Sequence, residues 1–299
     1  MRKVKASMMN AIHDLPLLVA RDEGFFRDQG LDVEIITTPG SGQKNSDHQA
    51  LRSNIFDRTM EALYEQGACD QFRMCEWGIM KRAVESNVEK GHRPAKIVAL
   101  GSAMSTFAIV ANPKAGIYEP EQLKDKPIGV SPFNGSHFTT LKLLEGFLKR
   151  EQINTIFAGT MRERIEALKR GEVAAISLME PWISVAEKQG LRVLMESHST
   201  RSEAAGDELD GPTLHKMFLA EAEAARAIDK NPAKYAHYLV AEAGGMLELK
   251  DLKLARILNA PPEPYTRERF QHTYEWTRDW GLVPSGATFE NTVDNRAWQ

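Results

Sequence analysis

Over the first two-thirds of the chain, short apolar runs alternate with stretches whose apolar residues recur at helical spacing. That alternation constrains the fold more than any other feature, because it specifies an α/β protein with largely parallel sheets. Strand-like runs are Val4–Met9, Asp32–Thr37, Gln71–Cys75, Lys96–Ser102, Phe107–Ala111, Pro127–Ser131, Thr155–Ala158, Ala174–Leu178 and Leu191–Met195. Helical patterns fall at Leu15–Gln29, Asn54–Gln66, Ile79–Lys90, Phe138–Arg150, Arg162–Arg170 and Ile183–Gln189. Beyond Glu196 the pattern reads as helical to the end, broken by Pro261, Pro262 and Pro264. The polar stretch Ser197–Pro212 reads as a surface connection, with a lid as the alternative.

The length of 299 residues allows two domains. A net charge of -3 gives no electrostatic footprint for nucleic acid, and no apolar run reaches the roughly 18 residues that span a bilayer. The start, "MRKVKASMMNAIHDLPLL", lacks a continuous apolar signal region, so the expectation is a cytoplasmic protein. A periplasmic location is the other reading, if a leader has been removed. Cys69 and Cys75 lack disulfide-framework or zinc spacing and read as small buried residues.

"RMCEWGIMKR" sets Glu76 between a cysteine and a tryptophan where a buried strand runs into a helix. An ionised carboxylate there is costly unless it is paired or faces a wet cleft. The chain also echoes itself. Glu76 and Glu180 are each followed by a tryptophan, Trp77 or Trp182, and each stands nine residues after a glycine, Gly67 or Gly171. "NAIH" (Asn10–His13) and "NGSH" (Asn134–His137) both read Asn-x-x-His where a strand gives way to a helix. Ligands of open α/β sheets bind beyond the carboxyl ends of the strands. Two such lobes would therefore turn His13, Glu76, His137 and Glu180 toward one cleft.

"NAIHDLPLLVARDEGFFRDQGLDVEI", "IYEPEQLKDKPIGV", "GEVAAISLMEPWISVAEKQG" and "YEWTRDWGLV" together resemble the type II periplasmic-binding-protein superfamily. The resemblance is nearest the branch of thiamine-pyrimidine synthases and nitrate, sulfonate and taurine binders. It implies a two-lobed clamshell closing on a small, often anionic ligand. On that basis lobe 1 is assigned to residues 1–104 plus 196–299, and lobe 2 to residues 105–195. Most members serve ABC importers, and some cytoplasmic relatives are enzymes, including dihydroxyphthalate-type decarboxylases, which "CEWG" loosely resembles. The synthase's cysteine-rich iron motif has no counterpart here.

Two imidazoles and two carboxylates suit proton transfer, a divalent metal, or plain binding of an amine or heteroaromatic ring. Candidate catalytic residues are thus His13, Glu76, His137 and Glu180. The small-residue turns "PGSG" and "FNGSHF" offer backbone donors for an anion, with Ser41, Gly42, Asn134, Gly135 and Ser136 as candidate contacts beside Asn10. Ser136 is also a plausible helix N-cap. Trp77 and Trp182 suit an aromatic ligand. The glycine pattern lacks a dinucleotide fingerprint, so no nucleotide cofactor is expected, while a divalent metal stays open. Cys75 beside a carboxylate is not read as a nucleophile. The expectation is a cytoplasmic protein binding a small carboxylate-bearing or heteroaromatic compound, leaning to a lyase of decarboxylase type, with hydrolysis next. The alternative is the substrate-binding component of an ABC importer, whose partner would be a permease.

Overall fold

The structure is a computed structural model that describes residues 1–37, 60–89 and 91–299. The chain divides into two compact units. Unit 1 comprises Met1–Met104, Thr200–Tyr235 and Asn259–Gln299, and unit 2 comprises Ser105–Ser199 and Ala236–Leu258.

Each unit contains the same arrangement of three parallel strands. In unit 1, β1 (Arg2–Met8) lies between β2 (Leu31–Thr37) and β3 (Gln71–Cys75). In unit 2, β5 (Pro127–Val130) lies between β6 (Asn154–Phe157) and β7 (Ala175–Met179). β1 pairs with β2 over its whole length but meets β3 only at Ala6↔Gln71. β5 pairs with β6 at four positions and with β7 only at Ile128↔Ala175 and Gly129↔Ile176. The first and third strands therefore part toward their carboxyl ends, which is the topological switch point where α/β sheets bind ligands.

An antiparallel strand closes each set. β8 (Arg192–Ala205) pairs with β3, Cys75 opposite Arg201 and Arg73 opposite Glu203. β4 (Lys96–Ala111) pairs with β7, Ile109 opposite Ser177. Both are longer than the sequence pattern suggests. Lys96–Ser102 and Phe107–Ala111 are parts of one 16-residue strand, because the intervening Ala103–Thr106 holds no glycine or proline and is compatible with extension. The polar run after Met195 continues β8 to Ala205 rather than forming a loop or lid. Ser199, Arg201, Ser202 and Glu203 are buried along it, and a polarity pattern cannot reveal that.

Helix boundaries follow local chemistry. The predicted helix Leu15–Gln29 is two, Leu15–Asp22 and Phe25–Asp28, parted at Gly24, whose φ of +88° suits only glycine. Helix Gly135–Leu144 takes Asn134 as its N-cap, with Oδ1 accepting from the Gly135 N–H. Ser136 is not the cap. Its Oγ accepts from the Ser131 N–H at 3.0 Å and ties the helix back to the end of β5. Helix Met161–Arg170 opens on a capping box between Thr160 and Glu163 and closes on Gly171 at φ +75°.

Each unit has its own apolar core. Phe72, Ile79, Ile97 and Tyr274 belong to that of unit 1, and Ile109, Ile128, Leu144 and Ala175 to that of unit 2. The helical C-terminal region divides between the units, with Gly211–Lys230 and Arg267–Asp279 in unit 1 and His237–Glu242 in unit 2. Among the described residues no helix is long and apolar enough to cross a membrane.

Candidate functional site

In unit 1 the end of β1 leads through Asn10–Asp14 into helix Leu15–Asp22, beside the end of β3. His13 is 2% exposed. Its backbone N–H donates to Asn10 Oδ1 at 3.1 Å, which orients the amide so that Asn10 Nδ2 donates to His13 Nδ1 at 3.3 Å. The proton of the neutral ring therefore sits on Nε2. Burial, and then the nearby Arg201 charge, hold His13 well below its ordinary pKa, so the ring is neutral at pH 7.

The neighbouring charges form a closed cluster. Asp14 Oδ2 accepts from the Met9 N–H at 2.8 Å and the Asn10 N–H at 3.3 Å, while Oδ1 accepts from Arg201 Nη2 at 3.1 Å. Arg201 Nη2 also donates to the Arg73 carbonyl at 3.1 Å, and its Nε and Nη1 are buried without a partner among the described residues. Arg73 Nη2 donates to Glu203 at 3.1 Å and to Glu221 at 2.7 Å. Gln71 donates to Glu203 as well. Burial raises Glu203 well above the usual carboxylate range. Two guanidinium groups thus face three carboxyls, so each buried cation has a carboxyl partner.

Glu76 is the first residue of helix Glu76–Val88 and is buried. Oε1 accepts from Tyr265 Oη at 2.7 Å, Arg269 Nε at 2.8 Å and Thr273 Oγ1 at 2.7 Å, and Oε2 from Arg269 Nη2. It is paired, not facing a wet cleft. Helix Arg267–Asp279, which supplies Arg269 and Thr273, lies nearly two hundred residues away in sequence, so local reading had no view of it. Burial pushes the Cys75 thiol up to about 11, which makes it inert at neutral pH. Trp77 is half-buried and packs on Trp276 with ring centroids 5.7 Å apart.

Unit 2 repeats the motif positions with different contacts. Asn134 and His137 follow β5 as Asn10 and His13 follow β1. His137 Nδ1 accepts from the Phe133 N–H at 3.2 Å, again leaving the neutral ring's proton on Nε2, and burial lowers its pKa. Gly135 and Ser136 are buried in the first turn of helix Gly135–Leu144. Glu180 is fully buried at the end of β7. It accepts from Ser184 N at 3.3 Å, Ser184 Oγ at 3.1 Å and Arg256 Nη1 at 3.0 Å. Burial raises its pKa, with Ser184 and Arg256 opposing. Trp182 Nε1 donates to Glu242 Oε1 at 3.3 Å. Both echoed glutamates are therefore arginine-paired within their own unit.

Ser41 and Gly42 lie outside the described residues. Among the described residues, no three His, Cys, Asp or Glu side chains gather as a metal site. The sequence reading missed the arginines altogether. Arg73, inside the apolar strand "QFRMC", was the one visible signal, because a cation there requires buried anions around it.

Comparison with protein-family models returns no match, and neither does comparison with curated proteins. Solved structures do match over nearly the whole chain. The alkanesulfonate-binding protein SsuA from Xanthomonas axonopodis pv. citri, bound to MOPS, is 15% identical with a TM-score of 0.71, covering 95% of each chain. The periplasmic nitrate-binding protein NrtA from Synechocystis PCC 6803 is 14% identical with a TM-score of 0.74, covering 100% of this chain and 87% of its own. The desulfurization enzyme DSZB is 13% identical with a TM-score of 0.62, covering 99% of this chain and 98% of its own. The chain has the α/β fold of the two-lobed periplasmic binding proteins of the nitrate and sulfonate branch.

Proposed function

We propose that this chain is a solute-binding protein that takes a small anionic compound bearing a sulfonate, nitrate or carboxylate group. Its partner would be the permease of an importer. The observation that carries this reading is the pairing of both strand-end glutamates. Glu76 is held by Arg269, Tyr265 and Thr273, and Glu180 by Arg256 and Ser184. Neither carboxylate is poised to exchange protons with a substrate, which withdraws support from the decarboxylase reading. The similarity to proteins described as binding alkanesulfonate and nitrate supports the importer reading, and with it a periplasmic rather than cytoplasmic location.

Asn10 and His13 in unit 1 and Asn134, Gly135, Ser136 and His137 in unit 2 are the proposed polar contacts, with Trp77 and Trp182 as proposed apolar ones. The two units are taken as the two lobes. Titration calorimetry against methanesulfonate, nitrate and a panel of aromatic and aliphatic carboxylates tests the proposal. Saturable binding of one class with the compound recovered unchanged is expected. Consumption of the compound, with release of carbon dioxide or sulfite, would overturn it in favour of an enzyme.

A further inference from the structure

The parting of β5 and β7 in unit 2 is bridged by a cation. The last β5–β7 pair is Gly129↔Ile176, and β6 ends at Phe157 opposite Val130. Arg164 lies on the buried face of helix Met161–Arg170 and is 4% exposed. Its Nε donates to the Gly159 carbonyl, just past β6, at 3.1 Å. Its Nη1 donates to the Ser177 carbonyl, the first β7 residue past the last pair, at 2.8 Å. The guanidinium therefore spans the line of β5 at its carboxyl end.

No carboxylate forms an ion pair with Arg164 among the described residues. The adjacent Glu163 is turned to the helix start, where Oε2 accepts from the Thr160 N–H at 2.7 Å. Burial lowers the Arg164 pKa to about 10, against the opposing Glu163 charge. A buried cation without an anion is destabilising, and an added oxoanion would remove that deficit. The fork geometry of a guanidinium suits such a group, and the N-terminus of helix Gly135–Leu144, beyond the same end of β5, adds a favourable field.

We propose that Arg164 is the charge-bearing anchor for the oxoanion group of the ligand, at the carboxyl ends of β5 and β7. This rests on the solute-binding reading above and names the residue of unit 2 that recognises charge. Nitrate, methanesulfonate and acetate are separate probes that share this chemistry and distinguish its sources.

The wild-type chain is titrated with each probe, beside R164Q and R164K, with the Arg164 Nε–H resonance followed in arginine-labelled wild type. The expected result is saturable binding by wild type with a shift of that resonance. R164Q should bind roughly 10- to 100-fold more weakly, and R164K should fall between the two. The wild-type resonance gives the answer even if a variant fails to fold. Binding that leaves the Arg164 resonance unmoved overturns the proposal and leaves the solute-binding reading standing. Failure of all three probes to bind wild type overturns the proposal together with the anion reading of the function.

Discussion

At the carboxyl end of β1, unit 1 sets Arg201 against Asp14, with Arg73, Glu203 and Glu221 behind them. At the corresponding end of β5, unit 2 sets Arg164 between two carbonyl oxygens, with no carboxylate paired to it among the described residues. The strands around the two crevices run in the same order, yet the charge in one is balanced and in the other is not. A balanced cluster contributes to the fold without help from outside. An unbalanced one is stabilised by whatever anion arrives. The same topology thus supports a structural site in one unit and a receptive one in the other.

The largest effect expected is in the balanced crevice. Asp14→Ala removes the partner of Arg201 and two backbone N–H bonds, and an uncompensated buried charge of this kind costs about 3–5 kcal/mol. Urea denaturation should show the loss with an unchanged m-value. A change below about 1 kcal/mol, the range of exposed pairs, would break the comparison by showing that water already screens Arg201.

Glu76→Gln should cost about 1–3 kcal/mol, since Tyr265, Thr273 and Arg269 each lose a charged acceptor but keep a neutral one. Arg269 is half-exposed and can rehydrate, which keeps the cost below that of Asp14→Ala. Thermal melts on the same sample as a ligand titration read both. Stability intact with binding abolished would return Glu76 to a ligand role.

The strands were legible as elements because parallel strands are near-continuous apolar runs, as in "QFRMC" and "AISLM". The Asn-x-x-His and Glu-Trp neighbourhoods were legible as positions, since each falls at a strand end. Their partners were not. Glu76 meets Arg269 from a helix near the C-terminus, and Arg164 looks like any cation on an amphipathic helix until its carbonyl partners are seen. Residue type and spacing locate a group along an element, whereas charge balance depends on contacts distant in sequence.

The pH dependence of stability should carry two opposite contributions from the unit 1 crevice, each up to about 1.4 kcal/mol per pH unit. His13 has a lowered folded pKa, so the unfolded chain binds its proton near 6.5 while the folded chain does not. Its contribution is present above that value and lost as pH falls below it. Glu203 has a raised folded pKa, so the unfolded chain releases its proton near 4.5 while the folded chain keeps it. Its contribution is present below that value and lost as pH rises toward the raised one. Denaturation across pH should flatten on the acidic side in His13→Gln and toward neutrality in Glu203→Gln. Identical profiles for both variants and wild type would show that the crevice is hydrated.

The smallest effect expected is on the stability of unit 2 without ligand. Arg164→Gln gives up bonds to the Gly159 and Ser177 carbonyls, each worth about 0.5–1.5 kcal/mol. It also removes a buried cation that forms no ion pair with a carboxylate among the described residues, and that relief acts in the opposite direction. The two nearly cancel, and the net change should stay within about 1 kcal/mol, where most benign substitutions fall. Added methanesulfonate should then separate the proteins. At 100 times the dissociation constant a ligand stabilises the wild type by about 2.7 kcal/mol, and at the same concentration the weakly binding variant gains far less. A loss in Arg164→Gln as large as that in Asp14→Ala, with no added response to anion in the wild type, would make Arg164 a structural strut. The two crevices would then be alike.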